Sequence, residues 1–447
     1  MPTRQDQLHS HQFAVQRAVA ALVMRETDPA QSPFHRLAGA ALASVLLAAL
    51  ALGAVATYGV LSPPADTGWR DGSAIVVDRD SGARYLYRDG RLHPVLNHAS
   101  ALLILGSPGP RAVRVPRATL DAVPRGAPLG IPGAPDALPD PARLAAGPWT
   151  LCSYPSGESV LFLSDVAGGS PRLADAGLLV RLADGSVQLI WHGRRHRVRE
   201  PGVVLAALGW GTERPVPVAP ALLSALAAGA DLGRIAIAGR GERSTAVPGA
   251  RVGDVFVTGS QGGGRQYAVA LRDGLAVVSQ VQADLLIGDP LGRQTDAIPL
   301  GAGEYARLAK APFGAAAGAD ALPAETPRLA RVADGRSVCA LLPDGAEPEL
   351  RLDVGIAVPP AAVRTGGSPG SVDWVAVDPG GGAVVGDPSG ELCVVTDQAI
   401  RYAVPQPDVL AVLGLGAVRP VRLPAAVLNL LPAGPVLDPA TARSPAS

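Results

Sequence analysis

Residues 37–61 read LAGAALASVLLAALALGAVATYGVL, 25 in a row without a charge, with Arg36 just before them and Asp66 beyond. Nothing else in the chain constrains it as much. A bilayer's hydrocarbon core of ~30 Å takes about 20 helical residues, so this run is long enough to span it with some tilt. A secretory signal has a short basic start and an apolar stretch of roughly 7 to 15 residues, whereas here 36 residues precede a longer run. Ala54-Val55-Ala56 has the small-residue form of a cleavage site, but the length favours a retained anchor. Arg17, Arg25 and Arg36 on one side against Arg70 and Arg79 on the other are a mild excess. That excess points to an N-terminus inside and a larger C-terminal part outside.

Ahead of the run, Thr3-Arg4-Gln5-Asp6 has the form of a capping box, and Leu8, Val15, Val19 and Leu22 recur at helical spacing until Asp28-Pro29. A short amphipathic helix is predicted. Its apolar stripe would lie on the membrane surface or dock on a partner subunit, and Arg17, Leu22 and Arg25 are the residues expected to grip.

Beyond the run, one pattern returns four times. Tyr85–Val95 is a strand, an Asp-Gly turn and a strand; an apolar stretch ending at Gly106 and a Pro-led helix closing at Gly126 follow. The same order is read at 179–229, 267–312 and 393–434. From turn Asp to the Gly after the apolar stretch the spacings are 17, 25, 15 and 17 residues, which suggests an insertion in the second copy. A hairpin with short helices is too small to bury its own apolar face, so the copies must pack on each other or on a shared core. Material between them, rich in alternating strand patterns such as GDVFVTG and VDWVAVD, is expected to supply that core.

The expected class is therefore α+β, a single N-terminal transmembrane helix with a large extracytoplasmic domain. Residues 1–36 form a cytoplasmic amphipathic segment, 37–61 the membrane helix, and 62–140 a linker and the first copy. Residues 141–175, 235–262 and 315–390 are parts of a central β domain. Copies two to four occupy 176–234, 263–314 and 391–438, and 439–447 is a disordered tail.

Lysine and arginine together number 39, as do aspartate and glutamate, so no general electrostatic pull toward nucleic acid exists. The only lysine, Lys310, follows Ala309 and not glycine, which excludes a P-loop. Gly366-Gly367-Ser368-Pro369-Gly370 fits G-x-S-x-G, yet the proline removes the backbone N–H an oxyanion hole needs. His192 and His196 lie on a strand and loop, and residues four apart on a strand are about 13 Å from each other, too far to share a zinc ion. Gly262-Gly263-Gly264 and Gly380-Gly381-Gly382 open no helix and are turns. No catalytic residue, metal site or cofactor is expected, and the chain is read as a non-enzyme.

Cys152 and Cys339 have matching surroundings, an apolar residue before and a Pro-x-Gly turn after. An oxidising location would allow a disulfide between them; two buried free thiols is the alternative. Cys393 reads as a small buried apolar residue.

Tyr85-Leu86, Asp89-Gly90, Leu92-His93-Pro94-Val95, Asn97, Ser100-Ala101, Val123-Pro124-Arg125-Gly126 and Gly130-Ile131-Pro132-Gly133-Ala134-Pro135 together resemble the EccB family of the type VII (ESX) secretion system of actinobacteria. Gln12-Phe13, Arg17, Ala21-Leu22-Val23 and Arg25 agree with it as well. The resemblance implies a structural subunit of the plasma (inner) membrane, with a periplasmic domain in which four repeats flank a central β domain tied by a disulfide. Cys152 and Cys339 match the disulfide positions and Cys393 does not. It further implies assembly with EccC, EccD and EccE subunits and with other copies of the chain itself, and no nucleic acid. ATP hydrolysis has been suggested for the family, and the sequence supplies no site for it.

Overall fold

The computed structural model describes residues 3–24, 33–61, 67–259, 263–314, 322–366 and 370–446. The chain divides into two compact parts, Met1–Arg70 and Asp71–Ser447.

The N-terminal part carries two helices, Arg4–Met24 and Pro33–Leu61. Thr3 closes the start of the first: its N–H and its hydroxyl donate to Asp6 Oδ2 at 3.0 and 2.6 Å. Half of the expected capping box thus forms, with the carboxylate reaching back and the hydroxyl donating rather than accepting. The second helix takes in the apolar run. Its side chains are described for 39–55 and 57, and over those described residues alone no helix is long and apolar enough to cross a membrane.

The C-terminal part is a mixed α+β fold of small sheets in which one topology occurs four times. In the first copy, strands Ile75–Asp78, Arg84–Arg88 and Arg91–Pro94 form an antiparallel meander. Helix His98–Leu105 then carries the chain back so that Ala112–Val115 pairs parallel to the first strand, giving the order 3-2-1-4. The second copy repeats it with Leu178–Arg181, Val187–Trp191, Arg194–Val198, helix Pro201–Ala207 and Val216–Pro217. The third uses Val255–Gly259, Arg265–Ala270, Leu275–Val278, helix Gln280–Ile287 and Ile298–Pro299. The fourth uses Gly382–Gly386, Leu392–Thr396, Arg401–Val404, helix Pro407–Val412 and Val421–Arg422. In every copy a later segment returns parallel to the third strand, through Leu92↔Arg125, Arg195↔Ala228, Leu275↔Lys310 and Arg401↔Ala433.

Several expected boundaries shift. The turn in the second copy that corresponds to Asp89-Gly90 is His192-Gly193, one strand later than Asp184-Gly185. Both residues of each turn take positive φ, 51° and 75° in the first copy, 45° and 70° in the second, as a two-residue primed hairpin requires. From His192 to Gly209 is 17 residues, the same as from Asp89 to Gly106, so the second copy has no insertion. Strands Val255–Gly259 and Gly382–Gly386 pair within the third and fourth copies and not in the central domain. Within the expected tail, Asp438 caps a helix Pro439–Ala442, and Ala442 is fully buried.

The central sheet has six strands in the order Glu349–Val354, Ser337–Leu342, Trp149–Ser153, Ser159–Phe162, Trp374–Ala376 and Val363–Arg364. No strand of it comes from 235–262. Every residue of Trp149–Ser153 and Ser337–Leu342 is buried, so both faces of the sheet are covered. With the two-residue period of a strand, Trp149, Leu151, Val338 and Ala340 go to one core and Cys152 and Cys339 to the other. The first of these cores is shared with the second copy (Leu178, Val180, Leu222) and the fourth (Val385, Val421, Leu423). Copies two and three share another, which holds Val204 and Leu285. Copies one and four share a third, which holds Leu103 and Leu410.

Candidate functional site

The residues that carry the family resemblance hold backbone in place. Asn97 caps helix His98–Leu105, its Oδ1 accepting from Ser100 N–H at 3.0 Å while its Nδ2 donates to Ile131 O at 2.8 Å. Ser100 Oγ accepts from Ile131 N–H at 2.9 Å. Asn97 and Ser100 are buried, and between them they satisfy both polar groups of Ile131, which an apolar pair would leave unbonded. Gly130 has φ 127° and a Cβ there would stand 2.9 Å from Ser100 Oγ, so only glycine lets the strap pass. Arg125 stacks on Tyr85, 4.5 Å from the ring centroid.

His93 and Gly126 form a second device. The His93 ring covers Gly126 so closely that any Cβ would overlap it, and His93 Nδ1 lies 2.9 Å from Ala127 O. His196 stands in the same relation to Gly229 and Ala230 O, and Tyr402 to Gly434. In the third copy the register gives Ala276 and Ala311 instead. Burial holds His196 below the usual imidazole range, against the opposing pull of its bond to Ala230 O, so the ring is neutral and Nδ1–H donates. His192, at the turn, stacks on Trp191 and meets Asp175 Oδ1 at 3.1 Å. Among the described residues no three His, Cys, Asp or Glu side chains gather to hold a metal ion.

Cys152 and Cys339 sit directly opposite each other on adjacent antiparallel strands and are disulfide-bonded, 187 residues apart in sequence. Cys393 is free and buried, and burial raises its thiol pKa. Lys310 donates to the carbonyls of Tyr305 and Leu308 and lies over the Tyr305 ring. Ser368 lies outside the described residues.

On the Arg4–Met24 helix, Leu8, Phe13, Val15 and Leu22 are exposed, Leu22 at 81%. Arg17 is on the same helix; Arg25 lies outside the described residues. Leu42, Val45, Leu46, Leu47, Leu50, Leu52 and Val55 are exposed on the following helix and, at 100° per residue, surround it.

A sheet-and-helix unit repeated four times about a disulfide-tied central sheet, following two N-terminal helices in the sequence, defines a repeat-built domain whose motif residues are structural. The chain belongs to the EccB family: the family model described as "Type VII secretion system ESX-1, transport TM domain B" matches residues 1–446. It is 37% identical over 297 residues to the ESX-2 secretion system ATPase EccB2 of Mycobacterium tuberculosis, covering 64% of this chain and 59% of that protein. With the ESX-5 secretion system ATPase EccB5 of Mycobacterium marinum it shares 31% over 479 residues, 98% of this chain and 92% of that one. Among solved structures, a chain of an intact ESX-5 inner membrane complex matches with TM-score 0.61 at 28% identity, covering 100% of this chain and 96% of that one. The EccB3 dimer from the ESX-3 core complex matches with TM-score 0.61 at 28% identity over 83% of this chain and 100% of that one.

Proposed function

We propose that this chain is a membrane-held structural subunit of a type VII (ESX) secretion complex, with its repeat domain on the extracytoplasmic side. The observation that carries this is agreement in sequence and fold with EccB chains along their length. Helix Pro33–Leu61 crosses the inner membrane once: its 25-residue uncharged stretch and ring of exposed leucines suit lipid and no aqueous setting. The Cys152–Cys339 bond fits an oxidising compartment for the domain behind it. Partners are EccC, EccD and EccE-type subunits and other copies of this chain. Arg17, Leu22 and Arg25 are the residues that grip a partner helix on the inner side.

The curated relatives' names contain the word ATPase, which favours nucleotide hydrolysis as a second reading. The only lysine is engaged with the carbonyls of Tyr305, in helix Ala302–Arg307, and Leu308, so a triphosphate site of the P-loop kind has no lysine to build on.

Deleting residues 4–28 while keeping the membrane helix tests the assembly role. Loss of co-purification with the other membrane subunits, with the outer domain still disulfide-bonded and protease-resistant, is expected. Normal assembly from the deleted protein would refute it. Restoration by an unrelated basic amphipathic helix would assign the segment to lipid instead. A cytoplasm-dependent reporter fused after Met24 should be active and one after Ala440 silent. ATP hydrolysis by the purified full chain, lost in K310A, would establish the second reading.

A further inference from the structure

Between the second copy and the central sheet lies a groove of about 670 Å³, inside the ~300–1,000 Å³ range of ligand sites. One wall is formed by 212–217, which runs into the edge strand Val216–Pro217, and the other by 329–336, which leads into Ser337–Leu342. Leu179 and Val338, both buried, underlie it. Four guanidinium groups line it, Arg181, Arg214, Arg331 and Arg336, against the carboxylates of Glu213 and Asp334. Arg331 pairs with Glu213 at 3.4 Å. Among the described residues the side chains of Arg181, Arg214 and Arg336 have no hydrogen bond or ion pair. Three guanidinium groups without an ion pair, facing the single remaining carboxylate of Asp334, leave the concavity net positive and favour an anion there.

The second wall also offers main chain. Ala330 N–H donates to Gly177 O at 2.8 Å and Ala333 N–H to Asp353 Oδ1 at 2.7 Å. The N–H groups of Arg331 and Val332 between them have no partner among the described residues. Main chain with unbonded amides is what strand addition uses, main chain supplying affinity and side-chain contacts supplying choice.

We propose that this groove docks an extended acidic peptide segment of a partner protein, its backbone lying along 331–332 and its carboxylates held by Arg181, Arg214 and Arg336. Arginine rather than lysine suits the task, because its planar fork meets a carboxylate through two parallel bonds.

The test uses the purified full chain in detergent, titrated with a fluorescein-labelled peptide of alternating glutamate and valine. The matching glutamine-valine and lysine-valine peptides and inorganic phosphate are the comparison probes. A saturable rise in anisotropy is expected with the glutamate peptide, weakened about ten-fold or more in the glutamine peptide and in R181A/R214A/R336A. The charge-reversed triple variant, R181E/R214E/R336E, should take the lysine peptide instead. R181K/R214K/R336K, which keeps the charge without the fork, should bind at an intermediate level. All three arginines are exposed, so these variants should melt as the wild type does. Equal binding of the glutamine peptide, or undiminished affinity in the alanine variant, would overturn the proposal. So would phosphate competing as well as the peptide does, since that marks a plain anion site.

Discussion

A single glycine beneath an aromatic ring is a small feature with a sharp consequence. Gly229, half-buried, lies under the buried His196 ring with no room for a Cβ, and a packed site that must accept an extra methyl is strained by roughly 1–3 kcal/mol. Gly229→Ala should therefore lower the unfolding free energy of the domain by that order, read as an earlier denaturation midpoint. The third copy, with Ala276 and Ala311 at these positions, already contains the compatible alternative. G229A combined with H196A should consequently be less destabilised than the sum of the two single variants, a non-additivity a double-mutant cycle measures directly. His196 carries a pH dependence too. Its folded pKa is depressed, so the unfolded chain binds the proton first as pH falls below about 6.5. The neutral ring's contribution is complete above that value and is lost on the way down toward the folded pKa. Equilibrium unfolding of wild type and H196F between pH 7.5 and 5 should differ in slope, the variant being the flatter; identical slopes would remove His196 from the acid response.

Among the elements, the short helices owe their position to caps more than to length, since helices under about 12 residues are marginal alone. Helix His98–Leu105 starts on Asn97, and Gln280–Ile287 on a full capping box in which Ser279 Oγ and Gln282 Oε1 exchange bonds with each other's amides. Asn97→Ala would remove the cap and strand both Ser100 N–H and Ile131 O in a buried place, costing roughly 1–3 kcal/mol. Hydrogen exchange should quicken in 98–105 and at 129–135 together, because one side chain holds both; a change confined to the helix would show that the Ile131 bond carries nothing. Asp289 does comparable work between copies two and three. Buried at the end of the Gln280–Ile287 helix, it accepts from Arg234 at 2.9 Å and Arg240 at 2.8 Å. Burial pushes its carboxyl up, and the Leu291 amide with the two guanidinium groups outweighs this and holds it low. These elements were legible where a residue type announces its geometry, as Asp89-Gly90 announces a primed hairpin. His192-Gly193 makes the same turn without the usual residue, so the second copy's register was hidden and a spurious insertion took its place. The turn after the first strand changes from copy to copy, Asp184-Gly185 in the second and Asp387-Pro388-Ser389-Gly390 in the fourth, so no shared signal marks where a copy begins and the segments holding Val255–Gly259 and Gly382–Gly386 read as central.

On the scale of the whole molecule, the sheets are joined by shared cores in a definite order: copy one on copy four, copy four and copy two on the central sheet, copy three on copy two. Repetition was legible from sequence because local patterns recur; this order was not, since it depends on residues such as Leu103 and Leu410 sharing one core, which no local pattern encodes. The same is true of the groove arginines, which lie far apart in sequence and share a concavity only once the second copy meets the central sheet. The chain's end closes the series. Leu437 and Ala442 are fully buried in the core that copies one and four share, and Ala446 N–H donates to Pro128 O at 2.9 Å. Burying one leucine side chain is worth about 1.5–3 kcal/mol, so a chain ending at Pro435 loses a substantial part of that joint. Hydrogen exchange of the full chain truncated there should rise in 98–105 and 407–412, on either side of the joint, while 201–207 and 280–287 keep their protection. The Cys152–Cys339 strands, in the sheet between the two pairs of copies, should mark the limit of the change. Uniform loss of protection across all four copies would mean that the domain unfolds as one cooperative unit, and no loss in copy one would mean that residues 436–446 do not hold it to copy four.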